Sequence, residues 1–167
     1  MILFVRILAL FAAVVWCSAC VFQMPSEATA PAETQPGEVA LELAQGGSAV
    51  IVPVHINGQG PFRLILDTGA TLTCVDADLA KKLGLTERAG IIGHGFGIGS
   101  QGQVGMVAIE SLEVGSASAK DLTACTLDLK SFRGAGLQVD GLLGLNFLRD
   151  YRMTLDFERS VLVLDKG

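Results

Sequence analysis

The largely apolar run from Phe62 to Leu66 stops at Asp67-Thr68-Gly69. This single feature limits the fold more than any other. A strand that ends on an aspartate can hold the side chain rigidly while its carboxylate faces a cleft, and a Thr-Gly pair lets the chain turn away. Just upstream, Ala49 to Ile56 is rich in branched residues and ends on Asn57-Gly58, a strong signal for a tight β-hairpin. The aspartate therefore sits at the end of the second strand of a hairpin.

Later segments continue the β pattern. Val104 to Val114 and Leu122 to Leu129 read as strands separated by a polar turn, and Leu142-Leu143 as a short apolar strand. Met153, Leu155 and Phe157 alternate with polar neighbours, which predicts a strand with one wet face, and Val161 to Leu164 closes a last hairpin. Asp76 can cap a short helix from Ala77 to Leu83 that Gly84 ends, and Leu145 to Asp150 has room for a helical turn or two. The chain has 167 residues, half of them apolar, with 20 glycines and few aromatics. That supplies one core and suits short strands and tight turns. The expected fold is all-β, a small closed or folded-over domain with one or two short helices. No internal repeat is evident.

Arg6 precedes the apolar stretch Ile7 to Trp16, and small residues then lead to Cys20, the layout of an export signal. Ser18-Ala19-Cys20 looks like the end of a bacterial lipobox, with Cys17 where Leu is usual, so Cys20 is a candidate lipidation site. The other reading of residues 1–22 is an uncleaved signal anchor. Both place the domain outside the cytoplasm, in the periplasm or cell envelope, because no Lys or Arg occurs between Arg6 and Arg63. Residues 23–45 carry Pro25, Pro31 and Pro36 among small and polar residues and read as a disordered tether, with the folded domain spanning 46–167. A net charge of −5 offers no basic surface for nucleic acid. With two histidines, and with its one Cys-x-x-Cys spacing, Cys17 to Cys20, inside the signal region, the chain is expected to hold no metal site, and no cofactor is implied.

Leu64-Ile65-Leu66-Asp67-Thr68-Gly69-Ala70-Thr71, followed by Val139-Asp140-Gly141-Leu142-Leu143-Gly144-Leu145-Asn146-Phe147-Leu148, resembles the retropepsin-like aspartic peptidases: retroviral proteases and their bacterial single-domain relatives. The likeness runs from about Ser48 to the C-terminus. It implies a small closed β-barrel of the acid-protease type, with Asp67, Thr68 and Gly69 as the catalytic tripeptide. It also implies that Leu142, Leu143 and Gly144 support the loop from beneath and that Thr68 hydrogen-bonds to an opposing loop. Gly69 would adopt a conformation, and allow an approach, that a Cβ hinders, and Ala70 is small enough to leave room for a peptide.

Such chemistry needs two carboxylates. At ~3 Å and an effective dielectric near 20, their repulsion is roughly 5 kcal/mol, enough to separate the two titrations by about four units. This proton sharing is established for aspartic-protease dyads. The ionised partner takes a proton from a water that attacks the scissile carbonyl, and the protonated one polarises that carbonyl. With one Asp-Thr-Gly per chain, the expectation is a homodimer in which each subunit gives one Asp67. The predicted activity is aspartic endopeptidase cleavage of extended peptide or protein substrates. The alternative is a non-catalytic peptide-binding or scaffold module of the envelope with the same fold, which would tolerate loss of Asp67.

Residues 93–105 are rich in glycine, and Gly97, Gly99 and Gly102 match a dinucleotide-binding spacing. A strand-like run follows where that motif needs a helix, which excludes it. By resemblance the segment is the flap that closes over substrate, with Gly95, Phe96, Gly97, Ile98 and Gly99 as substrate contacts; the other reading is a plain surface loop. Cys74 and Cys125 could pair in an oxidising compartment or remain two buried thiols. Asp140, Asp76 and Asp78 read as structural, His55 as a strand residue and His94 as a loop residue.

Overall fold

The computed structural model describes residues 35, 37–88, 93–97 and 100–166. The chain begins with β1 (Glu38–Ala40), β2 (Glu42–Leu43), a 3-10 turn (Gln45–Gly47), β3 (Val50–Ile56) and β4 (Gln59–Leu66). There follow β5 (Cys74–Asp76), α1 (Ala77–Lys82), β6 (Thr86–Glu87), β7 (Gly93–Gly97) and β8 (Ser100–Val104). The last part holds β9 (Met106–Val114), β10 (Ala117–Leu127), α2 (Lys130–Gly134), β11 (Gly141–Leu143), α3 (Leu145–Leu148), β12 (Arg152–Asp156) and β13 (Val161–Asp165).

Asn57 and Gly58 both take positive φ, 51° and 72°, as a two-residue hairpin turn requires. The Asn57 side chain has a second task. Its Oδ1 accepts from the backbone N–H groups of Glu110 (2.9 Å) and Ser111 (3.0 Å), next to the pairing of His55 with Glu113 and Ile56 with Leu112. That contact joins β3 to β9 and closes a ring of six strands, β3–β4–β11–β5–β10–β9 and back to β3. The inward residues of β3, Val52, Val54 and Ile56, pack with Leu64, Ile109, Leu112, Leu143 and Phe147, all buried in one core. Closure removes the free edges that an open six-stranded sheet would expose.

Three expectations need correction. The folded region starts no later than Glu38, not at Gly46. β1 pairs antiparallel with β13 (Val39↔Leu162), and Val39, Leu41 and Ala44 are buried. The partner strand lies far along the chain, so nothing in the composition of residues 23–45 reveals it. Residues 1–34, on which the expected export signal and Cys20 fall, lie outside the described residues. The polar turn after β9 is only two residues long, because Ala117 to Asp121 extends β10 with its polar side chains outward. A third helix, α2, follows β10, and β6 adds a short pair to β9.

The Arg159 guanidinium fastens β1 to the β12–β13 turn, donating to both Glu38 oxygens at 2.7 and 2.9 Å. Those bonds, followed by one from the Gln35 N–H, hold the Glu38 carboxyl below its ordinary range. A carboxyl with a lowered value stabilises the fold at neutral pH, and that contribution is lost as pH falls through the lowered value. Acidification therefore increases hydrogen exchange at Val39 and Ala40 before β9–β10 opens, and Glu38→Gln removes the acid step. Protection of β1 that outlasts β9–β10 in acid contradicts this anchoring role.

Candidate active site

The Asp67 loop is built around β11. This strand runs parallel to β4 (Leu142↔Ile65, Leu143↔Leu66) and antiparallel to β5 (Leu142↔Cys74). It therefore lies between the strand that enters the loop and the strand that leaves it. The Asp67 N–H donates to the Leu143 carbonyl at 3.0 Å, and the Leu145 N–H to the Ala70 carbonyl at 2.8 Å. Leu143 and Gly144 are buried, and Leu142 is half-buried. Gly144 is required by crowding: a Cβ there would overlap the Leu72 carbonyl and stand 2.7 Å from the Thr73 nitrogen.

Asp67 is half-buried, and its Oδ1 accepts from the Gly69 N–H at 2.8 Å. Gly69 does not have the positive φ that would demand glycine. A Cβ at Gly69 would instead stand 3.2 Å from Asp67 Oδ1, so glycine here leaves room beside the carboxylate. Thr68 is exposed and Ala70 half-buried. A groove of about 860 Å³ lies elsewhere, among Leu41, Leu43, Pro53, Phe62 and Ser160, and contains no residue of the Asp67 loop.

Sequence reasoning missed the residue that fixes the far end of the loop. Asn146 Oδ1 accepts from the Thr73 N–H (2.7 Å) and Thr73 Oγ1 (2.9 Å), while its Nδ2 donates to the Thr123 carbonyl (2.8 Å). Thr73 is fully buried, and its hydroxyl also accepts from the Gly144 N–H at 3.1 Å. One amide thus joins the loop to β10 and to the start of α3. The available signal was a polar Asn among Leu145, Phe147 and Leu148, since a polar group in an apolar run needs partners.

The Asp140 Oδ2 accepts from the Arg63 N–H, and its backbone bonds Arg63 and Asp76, a structural position away from Asp67. Asp76 caps α1 through the Asp78 and Leu79 N–H groups and also takes Leu129 N–H and the Arg133 guanidinium. Its second set of partners fastens α2, which no local pattern announced. His55 lies on β3 opposite Glu113, and His94 lies on β7. β7 and β8 pair as a hairpin from Gly93↔Val104 to Gly97↔Ser100, which carries Gly95 and Phe96. Ile98 and Gly99 fall outside the described residues. Cys74 and Cys125 are direct partners on β5 and β10, with Cα atoms 4.3 Å apart and their sulfurs joined.

A closed six-stranded barrel, with an Asp-Thr-Gly loop wrapped around an apolar strand that a glycine follows, is the retropepsin-like fold. The aspartyl protease family model matches residues 52–147, and the chain belongs to that family. A retropepsin-like aspartic protease from Rickettsia conorii superposes with a TM-score of 0.54 at 18% identity, over 77% of this chain and 89% of that one. The UBA domain-containing protein Mud1 of Schizosaccharomyces pombe is 34% identical over 116 residues, which is 68% of this chain but only 32% of Mud1. The chain thus spans about a third of that relative's length.

Proposed function

We propose that the protein is an aspartic endopeptidase whose active form is a homodimer, with Asp67 of each subunit sharing one proton over a bound water. The observation that carries this reading is the Asp67 loop wrapped around β11 in a member of the aspartyl protease family. A single chain offers one such Asp-Thr-Gly carboxylate, half-buried at the end of β4, which supports assembly of the cleft from two copies. Extended peptides are the substrate class, because a cleft between strands binds them through main-chain hydrogen bonds and alternating side-chain pockets. The hairpin of β7 and β8 is the flap in this proposal, and Thr68 bonds across the dimer axis.

The sequence of residues 1–22 supports export and membrane attachment, through lipidated Cys20 or a signal anchor, with the domain in the cell envelope. Attachment raises local concentration and favours a weak dimer. The test is sedimentation of the protein with and without a substrate-like inhibitor, alongside cleavage of a peptide library. A dimer stabilised by the inhibitor is the expected result. A monomer that cleaves peptides at full rate rules out the shared dyad.

A further inference from the structure

The Cys74–Cys125 pair sits between the end of the Asp67 loop and the base of the β7–β8 hairpin. Cys74 lies one residue beyond Thr73, the end of the Asp67 loop, and the Cys125 N–H donates to the Thr73 carbonyl at 2.9 Å. On the other strand, Thr126 follows Cys125 directly. Its N–H donates to the Gly105 carbonyl at 2.9 Å, and Gly105 leads out of β8. Met106, the next residue, is the register partner of Cys125 and packs with both cysteines and Leu72. A single cystine therefore binds the exit of the carboxylate loop to the base of the β7–β8 hairpin. Its cluster holds buried Met106 and the half-buried Leu72 and Leu127.

We propose that this cystine is a thiol-sensitive clasp on the site: bonded, it keeps the Asp67 loop and the hairpin base in register; reduced, it lets them move independently. The inference rests on the peptidase reading for its functional consequence but not for its structural one. The reductant is a soluble dithiol. Its thiolate attacks one cystine sulfur, the S–S bond breaks, and the other sulfur leaves as a thiolate that takes up a proton. The second thiol of the reagent then displaces the protein sulfur, so two electrons pass to the protein and the reagent ends as a cyclic disulfide. Strand β5 remains in the barrel through its pairing with β11 and β10, so reduction loosens the loop without unfolding the domain.

The experiment uses the full chain in detergent, oxidised or treated with dithiothreitol, with Cys74→Ala/Cys125→Ala as the control for Cys17 and Cys20. Mass spectrometry assigns the bond, and hydrogen exchange reads peptides covering 70–73, 105–107 and, as an internal reference, β12–β13. Reduction is expected to raise exchange in the first two segments by at least about tenfold and leave the reference unchanged. Peptide turnover is expected to fall by about tenfold to a hundredfold, because small misplacements of reacting groups carry penalties of that size. Reoxidation reverses both effects, and the double variant ignores dithiothreitol. Four results overturn the proposal: unpaired thiols in the purified protein, a bond that resists dithiothreitol in the native state, exchange that rises everywhere, or exchange that rises nowhere. Should the oxidised protein cleave no peptide, the peptidase reading fails, and the exchange measurements still decide the clasp.

Discussion

In the proposed dimer, Asp67→Asn is expected to leave a folded domain and to lower peptide hydrolysis by about 10⁴-fold or more, since one substitution removes both acid–base groups. The substitution is nearly isosteric. The asparagine oxygen can still accept the Gly69 N–H that Asp67 Oδ1 holds at 2.8 Å, and the backbone bond from residue 67 to Leu143 is untouched. Thermal unfolding should therefore change little while turnover disappears. What is lost is the ability of either side chain to take a proton from water, because an amide has no basic site near neutral pH. Matched assays of cleavage and of peptide binding separate the two readings of this fold. Cleavage lost with binding kept identifies a peptidase. Turnover that survives in the Asn variant removes Asp67 from the chemistry. A protein that never cleaves, yet binds peptide equally well with Asp or Asn, is a scaffold module that retains the barrel.

Asn146→Ala is expected to destabilise the domain by about 3 kcal/mol, although its side-chain hydrogen bonds go to Thr73 and Thr123 and not to the Asp67 carboxylate. Truncation removes the acceptor for the Thr73 N–H and hydroxyl and the donor to the Thr123 carbonyl. A buried polar group left without a partner costs roughly 1–3 kcal/mol, and Thr73 is fully buried. For a domain of this size that corresponds to a fall in melting temperature on the order of 10 °C. Asn146→Asp is the sharper test. The carboxylate still accepts from Thr73 but sets a charged oxygen against the Thr123 carbonyl, so it should cost at least as much as alanine. A melting temperature within about 2 °C of the parent for both variants would mean that water replaces the amide and the network is not structural. Thr73→Val should reproduce part of the loss, since it removes the hydroxyl that Gly144 and Asn146 share.

These two expectations differ in how visible they were beforehand. Asp67 could be named from its strand and the Thr-Gly that follows, and the support given by Gly141 to Gly144 from its resemblance to a known pattern. The turn at Asn57 and Gly58 and the cap at Asp76 were legible for the same reason. Each depends on dihedral preferences or side-chain spacing within a few residues. At Gly69 the backbone conformation expected of glycine is not seen: its φ is not positive, and a Cβ there would stand 3.2 Å from Asp67 Oδ1.

The sequence by itself determined the strands and turns whose signal is local, and which carboxylate follows a strand. Tertiary structure alone decided who meets whom. It drew Glu38 to Arg159 across 121 residues, Thr73 to Asn146 across 73 and Cys74 to Cys125 across 51. Local preference ends within a turn or a strand, whereas these partnerships form only when the ring of strands closes and brings distant backbone into one register.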